Sequence, residues 1–121
     1  MTTYILKRNI SNWILAARPK TLPAAVSPVL LGIALAIHDG NFKPLITFIT
    51  LIAAVLIQIG TNFANDVYDF IKGSDTQDRI GPTRVTQAGL LHPETVKKGM
   101  WITFSLAICF GFYLAYMGGW P

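Results

Sequence analysis

PLITFITLIAAVLIQIGTNFANDVYDFI, residues 44 to 71, changes character part-way along. From Pro44 to Ala64 it carries no charge, and then Asp66 and Asp69 appear within a single helical turn. A helix needs roughly 20 apolar residues to cross about 30 Å of hydrocarbon, and this run supplies them. Two more charge-free blocks, Leu22 to Ile37 and Met100 to Gly118, flank it. The first is short, so its helix is expected to begin upstream near Trp13, with Arg18 and Lys20 snorkelling at the interface. The expected fold is therefore all-α and integral to the membrane. Its three transmembrane helices cover about 13–37, 44–71 and 95–118, and a loop covers about 72–94.

Composition agrees with a membrane chain. Of 121 residues, 52% are hydrophobic and only 13% charged. A soluble domain carries about 25% charged residues. Intrinsic disorder is excluded by the same figures. The single cysteine, Cys109, has no partner for a disulfide or a cysteine-ligated zinc site and reads as a small hydrophobe.

Basic residues orient the spans, because short loops rich in Lys and Arg stay in the cytoplasm. Lys7, Arg8, Arg18 and Lys20 precede the first span, and Lys72, Arg79, Arg84, Lys97 and Lys98 follow the second. Of the ten, only Lys43 falls between the first two spans. The N-terminus and the long loop are accordingly expected on the cytoplasmic side of the cell inner membrane, in contact with the lipid bilayer. The net charge of +4 is this topology signal, and no nucleic acid is expected as a partner. Trp13, Trp101 and Trp120 lie near the expected interfaces, as an aromatic belt would place them. Pro93 is expected in the first turn of the third span.

The chemistry concentrates between Asn62 and Gln87, where four of the six acids lie. On a helix Asn62, Asp66 and Asp69 share a face, and Asn65 stacks on Asp69. Gly73 is expected to end that helix, with Asp75 and Asp78 on the exit loop. Carboxylates at mid-bilayer cost about 2.5 to 3.5 kcal/mol each on insertion scales, so these are expected to line a polar cavity near the surface. Carboxylates with amide oxygens, and no neighbouring His or Cys, suit a hard cation such as Mg²⁺. Lys72, Arg79 and Arg84 nearby suit phosphate oxygens. The combination predicts a Mg²⁺-diphosphate site. An ordinary solvated helix end accounts for any one of these pairs, but not for the whole constellation.

NDVYDFIKGSD (65–75) followed by DRIGPTR (78–84), and preceded by RPKTLPAAVSPVLLG (18–32), resembles one branch of the UbiA-type intramembrane prenyltransferases. That branch is the menaquinone one, the 1,4-dihydroxy-2-naphthoate polyprenyltransferases. The resemblance runs from about Asn12 onward. The wider superfamily's first aspartate-rich motif, N-D-x-x-D-x-x-x-D, would put an acid at Gly73. This chain has Asp75 two residues later, which is similar to the naphthoate branch.

The resemblance implies a nine-helix fold of which this chain is the N-terminal third, the remaining C-terminal helices being missing. It implies that Asn62, Asp66, Asp69 and Asp75 hold Mg²⁺, with Asp66 and Asp69 the catalytic carboxylates. Asn62, Asn65, Lys72, Arg79 and Arg84 would then contact a polyprenyl diphosphate. Arg18 and Lys20 would meet the carboxylate of 1,4-dihydroxy-2-naphthoate, although anchoring at the interface explains those two equally well. The implied reaction transfers the prenyl group with decarboxylation, giving demethylmenaquinone, and the 121 residues alone would be inactive.

Two other classes compete. A CDP-alcohol phosphotransferase needs D-G-x-x-A-R, whereas Phe70 and Ile71 follow Asp69. A small non-enzymatic membrane scaffold or cation-binding subunit explains the short length but leaves the two joined motifs unexplained.

Overall fold

A computed structural model describes residues 2–73 and 85–118, with side chains from Arg8 onward. The described residues are helical: α1 (Thr2–Ala17), a 3₁₀ turn (Pro19–Thr21), α2 (Leu22–His38), α3 (Pro44–Ile71) and α4 (Pro93–Gly118). Three segments are long and apolar enough to cross a membrane, namely Arg8–His38, Pro44–Ile71 and Pro93–Gly118.

The first of these is not one helix, and here the structure departs from the continuous helix expected over 13–37. Proline cannot donate a backbone hydrogen bond, and its ring disfavours the right-handed helical region for the residue before it. Pro19 accordingly ends α1, and Arg18 turns into the left-handed region at φ 54°. That conformation is costly for a residue with a Cβ, by about 1–2 kcal/mol. Local hydrogen bonds offset part of it: the Thr21 N–H (2.9 Å) and hydroxyl (2.8 Å) both donate to the Arg18 carbonyl. The charge-free part of this segment is α2, whose 17 residues extend about 26 Å.

α3 begins at Pro44, where a missing N–H is harmless. It ends at Lys72, and Gly73, at φ 76°, takes the left-handed position that favours glycine. α4 starts at Pro93, and the His92 carbonyl accepts the N–H groups of Thr95 and Val96.

Packing concentrates at one end. Ala16 of α1, Phe63 and Val67 of α3, Val85 of the connecting segment, and Val96 and Met100 of α4 form a single buried cluster. Close approach is permitted by glycine at two points. A Cβ on Gly60 would lie 2.7 Å from the Phe104 ring, and one on Gly99 would lie 2.6 Å from the Trp13 ring. Trp13 also meets Phe63 edge-on, with centroids 5.3 Å apart.

Candidate functional site

The polar end of α3 lies beside this cluster. Helical periodicity turns Asn62, Phe63, Asp66 and Val67 inward, leaves Asp69 half-buried, and puts Asn65 outside. Two of the oxygen-bearing residues are thereby sealed in, with Asn62 at 2% and Asp66 at 1% exposure. A buried polar group is costly unless its hydrogen bonds are made.

Both find partners far along the chain. The Asn62 side-chain amide donates to the Ala17 carbonyl at 2.8 Å and to the Thr21 hydroxyl at 2.7 Å. Its Oδ1 accepts a longer bond, 3.4 Å, from Gln58 Nε2. Asn62 therefore ties α3 to the break at Arg18, and so brings the α1–α2 junction and the end of α3 together. The Asp66 carboxylate accepts the Val85 N–H at Oδ2 (2.7 Å) and the Thr86 N–H at Oδ1 (2.8 Å). One further clamp joins α1 to the same segment, where Asn12 Nδ2 donates to the Leu90 carbonyl at 3.1 Å.

The break opens a cavity of about 520 Å³ whose wall includes Ile14, Leu15, Arg18, Lys20 and Thr21. Its lining is apolar with a basic rim. Arg18 is half-buried and Lys20 exposed. On the far side of α3, Lys97 Nζ sits 5.7 Å from the centre of the Tyr68 ring, within cation–π range.

Of the residues singled out in the sequence, Asn62, Asp66 and Arg18 meet at this end of the bundle, with Asn65, Asp69 and Lys72 on the same last turns of α3. Lys72 is exposed. Asp75, Arg79 and Arg84 lie outside the described residues. Among the described residues no group of three or more His, Cys, Asp or Glu gathers to hold a metal. The hard-oxygen side chains on the last turns of α3 are, among the described residues, Asn65, Asp66 and Asp69, and both Asp66 oxygens accept a backbone N–H. Such a set suits Mg²⁺, which keeps several waters and takes substrate phosphate oxygens alongside one or two carboxylates.

Sequence reasoning missed Thr21, Gln58, Asn12 and Thr86. Gln58 was open to detection as a polar residue one turn before Asn62 in an apolar helix, and Thr21 as the residue two after a proline. Nothing local marks Asn12 or Thr86, whose roles depend on segments distant in sequence.

The profile of the UbiA prenyltransferase family matches residues 25–121. The chain belongs to this family. The matched stretch contains α2 from Ala25 on, α3 with its whole polar end, and α4, and it begins after the break at Arg18. Over 97 residues, 80% of the chain, it is 46% identical to the 1,4-dihydroxy-2-naphthoate octaprenyltransferase of Escherichia coli (strain K12), 31% of which is covered. The enzyme of the same name from Haemophilus influenzae is 35% identical over 112 residues, 91% of this chain and 36% of its own length. A UbiA prenyltransferase domain-containing protein 1 from Dictyostelium discoideum is 32% identical over 99 residues, 81% of this chain and 30% of its own. The chain thus spans about a third of the length of these curated relatives. No solved structure matches it.

Proposed function

We propose that these residues form part of a membrane prenyltransferase that joins a polyprenyl group to 1,4-dihydroxy-2-naphthoate in menaquinone biosynthesis. The observation that carries this reading is the Asn62 clamp, which sets the basic Arg18–Lys20 break beside an oxygen-rich helix end in a chain 46% identical to a naphthoate octaprenyltransferase.

Asp69 and Asn65 would hold Mg²⁺ together with diphosphate oxygens. When bound, the ion supplies positive charge where negative charge grows on the departing diphosphate. Lys72, Arg79 and Arg84 share that work through charge-assisted hydrogen bonds. As the allylic C–O bond breaks, the electron-rich naphthoate ring forms the new C–C bond. Its carboxylate then leaves as CO₂, returning electrons to the ring. Arg18 and Lys20 orient the acceptor through that carboxylate, and the apolar wall of the cavity at the break covers the ring. The N-terminus and the 72–94 loop face the cytoplasm, at the inner membrane, where both substrates are met.

A chimera tests this. The whole chain replaces the matching segment of the E. coli relative, and the purified protein is assayed with octaprenyl diphosphate, labelled naphthoate and Mg²⁺. Prenylated product and released CO₂ are expected, and Asp69→Ala should lower the rate by about 10²-fold or more. A stably inserted chimera that forms no product would overturn the reading. The 121 residues by themselves are expected to be inactive.

A further inference from the structure

Asp66 stands in the middle of the aspartate-bearing turn, where its sequence position suggests a metal ligand. Its surroundings point elsewhere. The side chain is 1% exposed, and its oxygens accept the N–H groups of residues 19 and 20 positions further along, at 2.7 and 2.8 Å. Both lengths lie at the short end of the ordinary N–H···O range.

The partners are themselves fixed. Residues 85–90 close a tight turn, in which the Leu90 N–H donates to the Val85 carbonyl at 3.0 Å and the Gly89 N–H to the Thr86 carbonyl at 3.1 Å. Gly89 adopts φ 75°, a conformation glycine takes without strain. Val85 is fully buried against Val67 and Val96, and Asn12 of α1 holds the far end of the turn through Leu90. Two consecutive N–H groups on a pinned turn thus converge on one sealed carboxylate. Each oxygen keeps a second lone pair, but at 1% exposure the side chain offers a metal no approach unless the buried pocket opens and the 85–90 turn moves off α3, which would strand the Val85 and Thr86 amides. Stranding a buried N–H is among the larger local penalties in a fold.

We infer that Asp66 is a positioning residue and not a metal ligand: its carboxylate pins the returning loop at Val85–Thr86 against α3, one helical turn from Asp69. The consequence for catalysis rests on the proposed Mg²⁺-diphosphate reading, whereas the clamp itself does not. Asp69 and Asp66, adjacent acids of one motif, then have different work. One faces the substrate side, and the other fixes the scaffold behind it.

Amide hydrogen exchange on the chain in lipid nanodiscs separates the two roles. Without divalent cations the Val85 and Thr86 amides should be protected, and Asp66→Asn, which turns one oxygen into a donor, should speed their exchange by about tenfold or more. Adding Mg²⁺ with inorganic pyrophosphate should leave the wild-type protection unchanged. Release of these amides on that addition, or equal exchange in wild type and Asp66→Asn, overturns the inference. The wild-type arm decides the matter alone if the variant does not fold.

The E. coli chimera supplies a second readout, the Mg²⁺ concentration giving half the maximal rate. Asp66→Asn should lower kcat while leaving that concentration within about twofold, whereas Asp69→Asn should raise it about tenfold or more. An equal rise for Asp66→Asn overturns the clamp. If Asp69→Asn leaves the Mg²⁺ requirement unmoved while the amides behave as stated, the Mg²⁺-diphosphate reading fails and the clamp stands.

Discussion

The end of the bundle that holds Asn62 and Asp66 differs sharply from the rest of the spans. At that end α1, α3, α4 and the 85–90 turn bury a common apolar cluster and exchange hydrogen bonds through Asn12, Asn62 and Asp66. Elsewhere large apolar side chains face outward: Leu31 and Leu35 on α2, Phe48 on α3, and Ile108 and Phe112 on α4 are all more than half exposed. α2 has no buried residue. Faces this apolar need lipid or further helices against them. The difference teaches where this chain holds its own shape: specific interactions are made at the polar end, and along the spans the surroundings must supply the contacts.

Removing a large side chain from each region should give the widest contrast. Phe63 is buried and meets Trp13 edge-on, so Phe63→Ala should destabilise the chain by about 3–5 kcal/mol. Phe112 is 63% exposed, and Phe112→Ala should change stability by less than about 0.5 kcal/mol. Reversible unfolding in mixed detergent micelles measures both. Equal losses would mean that the packed end is no more self-sufficient than the spans.

Glycine substitutions sharpen the same contrast at smaller scale. Gly99→Ala would drive a Cβ to 2.6 Å from the Trp13 ring, and overpacking of this kind costs about 1–3 kcal/mol. Gly111→Ala, on the same helix, meets nothing within 4 Å and should be neutral or stabilising by up to about 1 kcal/mol through helix propensity. Thermal denaturation of the two variants side by side gives the comparison. A neutral Gly99→Ala would show that α1 is not held against α4 as tightly as the Trp13 contact implies.

The two regions were also unequally legible in the sequence. The spans announce themselves through charge-free length, and the C-terminal boundary of α3 through Gly73, because hydropathy and left-handed φ are properties of single residues or short runs. The break at Arg18 is only partly open to the same kind of reading: a proline inside a helix removes a hydrogen bond and favours a kink or an end, yet Pro28 sits inside α2 without ending it, so Pro19 alone does not locate the break. The polar end was legible as a cluster. Its division of labour was not. Periodicity puts Asn62 and Asp66 on one face of α3, yet it does not say that the face is closed off by Ala17, Thr21, Val85 and Thr86. Those partners lie 45, 41, 19 and 20 residues away, and only tertiary structure joins them.

The smallest expected effect probes the completeness of the packed end itself. Thr86 is 3% exposed, and its backbone N–H is held by Asp66, but its hydroxyl is buried with no hydrogen-bond partner among the described residues. Leaving such a group unsatisfied costs about 1–3 kcal/mol, and replacing it by an apolar group of the same shape is nearly neutral or favourable. Thr86→Val keeps the volume and the N–H to Asp66 while removing the orphaned hydroxyl, so the chain should be unchanged or more stable by up to about 1 kcal/mol. Thr86→Ala removes a methyl group as well as the hydroxyl and opens a small void. It should fall below Thr86→Val by about 1 kcal/mol, in the same micelle unfolding assay. If Thr86→Val is instead the more damaging of the two, the hydroxyl is satisfied by a group outside the described residues, and the cluster at this end is closed by a hydrogen bond in addition to the Asp66 pair.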